Sequence, residues 1–538
     1  MLRLRNRKDT VSLTRHATRY TCERMKVTQI VLTFSGLLLC FMLSAQSQPQ
    51  RVKLIHTDEL RYDKSQVDAQ RLIGHVHLQL EGTTFFCDSA YLFANDDFDA
   101  FGKIQILDAS GGTVSADFLH FDRASKVATL REHVVLRDKD MTLTTGFLTY
   151  AVDSEVAVYQ GGGKIVSSVN KNVLTSKNGT YFGATETFHF KRQVILKNPN
   201  YVVTCDTMQY NSGSEMTYFR GPTTITGDST VIYCENGYYD SRKDESRFGK
   251  RARIMDGSTI LVGDSIYYNG ITNLGEVFGN VYIRDTTESM VISGDYGKHL
   301  ETTKWSFVTG HALLTQAYDD DTLFMHADTL NSLPDSLGRD RVFAFHGVRF
   351  FKSDLQGVCD SLVYLQQDST LWMFDQPIVW SAQSQVTGDT INLEIRNEAL
   401  RYANVLSNAL IVSDAEASGD SISGREEKFN QIKGKSMRAD FLNDALHQIR
   451  VEGNAELIYF PTDDKSGQPK TMGTNEGQCS AMLLSFEKGE LARVRMEDAP
   501  KAVFKSTKFA DAQPMRLKEF KWLKSLRPQD RYAIFLTP

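Results

Sequence analysis

A chain of 538 residues exceeds the size at which one compact core keeps growing, so several domains or an elongated array is expected. With 41% hydrophobic and 24% charged residues and a formal net charge of -5, global disorder is excluded. Acidic and basic residues are mixed along the chain without a basic stripe, which excludes a nucleic-acid binder.

The first predicted element is a leader. Val27 to Leu43 is apolar, with Lys26 in front and Ser44 and Ala45 behind, and is short for a bilayer span. Residues 1–45 therefore read as a basic prefix and a secretory signal peptide, with translation starting at Met25 and the mature chain near Gln46. Cys40 follows three leucines rather than a small residue, so it belongs to the leader and is not a lipid-attachment site.

Residues 46–395 are dominated by a repeat of two predicted strands. One is introduced by Gly or a charged turn and alternates, as in Gly74-His75-Val76-His77-Leu78-Gln79-Leu80, Gly102-Lys103-Ile104-Gln105-Ile106, Glu132-His133-Val134-Val135-Leu136, Gln193-Val194-Ile195-Leu196 and Gly279-Asn280-Val281-Tyr282-Ile283. Period two marks a half-buried strand, with Val76, Leu78 and Leu80 on one face and His75, His77 and Gln79 on the other. The second strand carries a small residue, Asp and then apolar positions, as in Cys87-Asp88-Ser89-Ala90-Tyr91, Cys205-Asp206-Thr207-Met208-Gln209-Tyr210 and Cys359-Asp360-Ser361-Leu362-Val363-Tyr364. Asp88 to Asp117 is 29 residues and Asp295 to Asp328 is 33, so the unit is about thirty residues. Two strands cannot bury an apolar face alone, so about a dozen units must stack into a long, folded-over antiparallel sheet. At roughly 4.8 Å per strand this gives an array on the order of 110 to 120 Å. The repeated Asp, with its neighbouring Ser or Thr, is read as capping turns through backbone hydrogen bonds.

Residues 396–538 are less regular and are read as a further domain. Asn397 to Ala409 suits a short helix or a distorted strand, and Arg425 to Lys433 a charged connection. The repeat then resumes at Lys433 to Phe441 and Val451 to Ala455.

The recurring Gly-x-Val-x-Leu strand followed by small-Asp-x-apolar-x-Tyr resembles the OstA-like or LptA-like family of lipopolysaccharide-transport proteins. The resemblance spans roughly Val52 to Leu393 and returns in the unit near Ala439-Asp440-Phe441. The length and the ending around Phe520-Lys521-Trp522 resemble the long members from Bacteroidetes-type bacteria. It implies an elongated V-shaped β-jellyroll that holds acyl chains between its sheets. It also implies a periplasmic location, lipopolysaccharide or a similar lipid as ligand, and LptC-like and LptD-like envelope proteins of the same fold as partners. A lipid-binding bridge of this kind needs no catalysis and no cofactor. The inward alternates Val76, Leu78, Ile104, Ile106, Val134, Leu136, Val194, Leu196, Val281 and Ile283 are the candidate groove residues. The same pattern would also line a dry core. Two alternatives stay open: an exported parallel β-helix enzyme acting on polysaccharide, and a structural or adhesive rod.

Sharper motifs weigh less than the repeat. Gly227-Asp228-Ser229, Gly263-Asp264-Ser265 and Gly419-Asp420-Ser421 resemble an esterase nucleophile, but a nucleophile needs one activated site rather than one copy per unit. His75 and His77 have no evident third ligand, Asp319-Asp320-Asp321 lacks the spacing of a calcium loop, and Gly161-Gly162-Gly163-Lys164 lacks the Ser or Thr of a phosphate loop. No metal site is expected. Of the cysteines beyond the leader, Cys205 and Cys234 are equivalent positions two strand spacings apart, roughly 9 to 10 Å. Together with Cys87, Cys359 and Cys479, they are expected as buried free thiols.

Overall fold

Period-two burial governs nearly every strand of this protein. The computed structural model describes residues 51–536 other than 66, 81, 108–111, 139–140, 169–170, 287–288, 301, 319–320, 340, 366–369, 397–398, 416–427, 443–444, 464–469, 488–489 and 507–514. The leader, Asp319, Asp320 and Gly419-Asp420-Ser421 lie outside the described residues. Val67–Leu80 pairs with Thr83–Phe93, that strand with Phe98–Leu107, and the meander continues through Thr113–Asp122, Val127–Asp138 and Met141–Ala151. Every described pairing is antiparallel, which rules out the parallel β-helix. Among the described residues the only helical turns are short 3-10 pieces at Gly183–Thr185, Lys524–Leu526 and Ala533–Phe535. The strands divide into two compact units, one ending at Phe278 and the other beginning at Gly279.

The thirty-residue repeat is a corner repeated strand after strand. In Thr187–Lys197 the buried side chains are Phe188, Phe190, Val194 and Leu196, and in Val202–Asn211 they are Val203, Cys205, Met208 and Tyr210. The inward step of two lengthens to four across the first strand's middle and to three across the second's. Each strand thus turns a corner while keeping its apolar side inward on both halves, and the sheet folds into two arms. Arg192 and Gln193 carry the turn, both left-handed at φ 62° and 54°, where the pairing slips between Lys191 and Val194. Such a bulge bends the strand that carries it. The same two-residue kink recurs at Gly74 and His75, Gly102 and Lys103, Glu132 and His133, Lys250 and Arg251, Gly310 and His311, and Ser407 and Asn408.

The repeated Asp belongs to this corner rather than to a turn, which corrects the expectation of backbone capping. His133 Nδ1 donates to Asp117 at 2.6 Å, His75 to Asp58 and His311 to Asp295 at 2.8 Å, and Asn408 Nδ2 to both oxygens of Asp389 at 3.1 and 2.9 Å. A left-handed residue other than Gly costs roughly 1–2 kcal/mol, and the Asp latch offsets part of that strain. Where Gly holds the kink, space is also decisive. A Cβ on Gly102 would lie 2.7 Å from Asp88 Oδ2, and one on Gly310 2.7 Å from Asp295 Oδ2.

The less regular region is strand as well. Residues 399–414 form one long strand with a bulge between Leu406 and Ala409, so the helical option for Asn397 to Ala409 falls away. Phe429–Leu442 absorbs the end of the expected charged connection. The last described segment, residues 515–536, runs back over the outer face of its own unit rather than capping a sheet edge. Gln431 Nε2 donates to the Met515 carbonyl at 2.8 Å and the Leu517 amide donates back to Gln431 Oε1 at 2.8 Å. Gln385 repeats this pair on Lys521 and Leu523, at 2.9 and 2.7 Å. Arg527 Nε donates to Gln356 Oε1 at 2.7 Å, and Phe535 reaches the His326 ring at 4.6 Å between centroids.

Candidate binding interior

The interior is built from cross-strand rows. In the unit ending at Phe278, Leu78 pairs with Phe85, Phe85 with Ile106, Ile106 with Val114, Val114 with Leu136 and Leu136 with Leu143. The row continues through Ile165, Leu174, Leu196, Val203, Ile225, Ile232, Ile254 and Leu261. Every position is apolar, so one arm offers an unbroken hydrophobic track across the strands. Nearer the corner, Val76 faces Cys87, Ile104 faces Ala116, and Val194 faces Cys205. The second strand of each unit contributes the small residue there because the inside of the bend is crowded.

Eight of the ten candidate residues are buried on this inward face, Val76, Leu78, Ile104, Ile106, Val134, Leu136, Val194 and Leu196, and Val281 is buried in the unit that begins at Gly279. Ile283 is half-buried and packs against the core of the unit that begins at Gly279. Val134 faces Thr145 rather than an aliphatic partner. The opposite arm faces this track with rings. Phe98 of that arm meets Phe85 edge-on at 5.3 Å between centroids. A guest chain between the arms would therefore take the place of such contacts rather than enter a bare channel.

The polar groups of the interior are quiet. Cys87, Cys205, Cys234, Cys359 and Cys479 are all free and buried, as expected. Burial pushes the thiol of Cys87 up to about 11 and those of Cys205, Cys234 and Cys359 up to about 12. Cys205 and Cys234 both face Thr223, from opposite sides, which places them two strands apart. Gly227 to Ser229 is a hairpin turn, whereas Gly263 to Ser265 lies within the strand Thr259–Asn269, so the two motifs share no common environment. Gly161 and Gly162 sit between the half-strands Val156–Tyr159 and Gly163–Ser167, at the corner position of that strand. The His77 ring lies tilted against Phe86 at 4.6 Å between centroids on the outer face, away from the latch of His75 to Asp58.

Sequence reasoning missed the buried glutamines Gln356, Gln385 and Gln431. Gln356 and Gln385 each stand four residues before a marker Asp, where other units carry Thr84, Thr113, Val202 or Phe324. That departure from the repeat was the available signal.

Comparison with known proteins gives a match over part of the chain. Residues 49–206 match the family model described as OstA-like protein. No curated protein matches the chain. Among solved structures the chain is similar to LptH of Pseudomonas aeruginosa, described as the LptA homologous periplasmic component of the conserved lipopolysaccharide transport device. The identity is 12% and the TM-score 0.20, over 27% of this chain and 94% of that one.

Proposed function

With residues 49–206 OstA-like, we propose that this protein is an exported, periplasmic lipid-binding bridge that takes part in lipopolysaccharide transport and outer-membrane assembly. The observation that carries the reading is the unbroken apolar row from Leu78 to Leu261 facing a second apolar arm. Acyl chains parting the two arms would be shielded from water, each buried methylene contributing roughly 0.8 kcal/mol. Such work is carriage rather than catalysis and calls for no cofactor.

The partners in this reading are LptC-like and LptD-like envelope proteins of the same fold. Among the described residues, Lys53–His56 and Glu59–Asp63 pair only with Val67–Leu80. At the other end Glu490–Glu497 and Lys501–Ser506 pair only with Gly473–Glu487. Unpaired strand edges invite a further strand, and each of these edges exposes apolar side chains, Leu60 at one and Val503 at the other.

The test is a photoreactive side chain placed at Leu78 or Leu196, with Gln105 on the outer face as control, followed by mass spectrometry of lipid attached to the protein from the periplasmic fraction. Lipopolysaccharide joined to the interior positions and not to Gln105 is the expected result. Equal labelling at Gln105, or interior positions that attach no lipid, would overturn the reading.

A further inference from the structure

The outer face beneath residues 515–536 has the build of a receptor. Gln356, Trp380, Gln385, Val412, Gln431 and Ile458 form one register row on adjacent strands, glutamine alternating with an apolar side chain. Their inward neighbours, among them Val379, Val386, Ile411 and Ile432, pack into the interior, so the row itself points outward. An outward row is normally wet, yet Gln385 and Gln431 are 0% exposed and Trp380 1%. Phe429, Leu410 and Val412 form a small apolar cluster there, which Leu517, Phe520 and Trp522 of the terminal segment complete.

Two features separate receptor from occupant. The glutamines hold main-chain groups, a carbonyl at one residue and the amide two residues on, at Met515 and Leu517 and again at Lys521 and Leu523. Main-chain recognition tolerates a change of sequence. The terminal segment, by contrast, is shallowly seated: of its described residues only Pro528 and Ile534 are buried, while the receptor side chains are covered almost completely. Losing the occupant would return Leu410, Val412 and Phe429 to water, so replacement by a second segment is favoured over a bare row.

We propose that this row is a polypeptide-binding site, filled in the free chain by residues 515–536 and open to exchange for a partner's segment of the same chemistry. That chemistry is an aromatic pair two residues apart, as Phe520 and Trp522 are, with one main-chain carbonyl and amide pair ahead of it and a second interleaved with it, each meeting a side-chain amide. The segment is then a displaceable strap.

The experiment uses the full chain. Phe520→Ala with Trp522→Ala weakens the strap and leaves the row intact, and the probe is a fluorescent synthetic peptide of residues 515–536. The peptide is expected to bind the double variant at least tenfold more tightly than the unaltered chain. Adding Gln385→Ala and Gln431→Ala should remove that gain. Hydrogen exchange is read in parallel, with the Leu517 and Leu523 amides becoming fast in the double variant while Ser384–Thr387 and Phe429–Leu442 stay protected. Three results would overturn the proposal: free exchange at Leu517 and Leu523 without peptide binding, unchanged slow exchange at both, or loss of protection in the strands as well, which would make the strap a structural part of the unit.

Discussion

The two units fill the same kind of interior with different side chains. In the unit ending at Phe278, the inward row farthest from the corner runs Phe121, Ala128, Tyr150, Ala157, Tyr181, Phe188, Tyr210, Thr217, Tyr239 and Ser246. Apart from the run Tyr181, Phe188 and Tyr210, a ring alternates with a small residue, an interlocking of large and small. In the unit that begins at Gly279, the comparable row starts with His299, Ser306, Ser332, Val342 and Tyr364 and then turns aliphatic, with Leu371, Leu393, Ala403, Ala439, Ile449 and Leu484. The row beside it carries Met373, Met437, Met482 and Met496. Methionine has more rotatable bonds and fills irregular space, so this second interior is the more compliant. One backbone rule, the corner with its latch, thus supports one rigidly filled interior and one adaptable interior. Large rings stand on the outside in both units, as the pairs Tyr91 with Phe101 and Phe343 with Phe345 show.

The largest expected effect tests what both units share. Ile106→Asp or Val134→Asp places a carboxylate against an apolar wall, and an unpaired buried charge costs several kcal/mol. Residues 51–278 are expected to lose cooperative hydrogen-exchange protection, whereas Gln105→Asp and His77→Asp on the outer face leave it within about 0.5 kcal/mol. Similar losses on both faces would overturn the assignment of inside and outside. The next largest effect separates the units. Tyr210→Ala removes a wholly buried ring and is expected to cost about 3–5 kcal/mol, while Met437→Ala, where neighbouring methionines can move into the space, is expected near the lower end of the about 2–5 kcal/mol usual for such a truncation. Urea unfolding of each variant measures both, and equal costs would remove the distinction.

A smaller effect reads the compliance directly. Cys205 and Cys359 are buried thiols pushed up to about 12, so neither is thiolate in the folded chain at neutral pH. Alkylation then waits on local opening. Cys359, in the methionine-lined unit, is expected to label several-fold faster than Cys205, as followed by mass spectrometry of the two peptides. Equal rates would mean that the two interiors open alike.

Much of the framework was legible in the sequence because it repeats. Alternation at Val76, Leu78 and Leu80 gave the inward face, and many degenerate copies of small-Asp-x-apolar gave the period. The corner was not read, although Cys205, Met208 and Tyr210 already display the step of three that marks it. A step of three breaks a period of two, and in a single copy it passes for noise. Its role as a latch lies in the neighbouring strand, where His133 meets Asp117, and pairing between strands is a tertiary fact. The glutamine row was hidden for a related reason. A polar residue at an outward position is ordinary, and only the return of residues 515–536 to the same face makes it buried. For the candidate groove the sequence gives side and period but not the guest, since Leu78 facing Phe85 makes a dry core and a lipid track from the same residues.

The smallest expected effect concerns the latch and compares a titrating with a non-titrating corner. His75 and His133 are held above the ordinary histidine value of 6.5, first by the hydrogen bond each makes to its aspartate and then by that carboxylate's charge. A folded value above the unfolded one means that the stabilisation is complete below the ordinary value and disappears as pH rises through the raised one. Asp58 moves the opposite way, held below its ordinary 3.8 chiefly by the hydrogen bond from His75. Its contribution is present above that ordinary value and is lost as pH falls through the lowered one. The latch at His75 is therefore strongest between the two ordinary values and weakens toward alkaline pH. These groups are exposed, so the effect is confined to the corner and leaves global stability nearly untouched. Asn408 makes the same latch to Asp389 with a side chain that does not titrate in this range. After correction for intrinsic rates, hydrogen exchange around His75 and His133 is expected to accelerate as pH rises from 6 toward 9, while exchange around Asn408 stays level. Replacing His133 by Asn should flatten its profile to match, and a profile that keeps its slope in that variant would place the titrating group elsewhere than the latch.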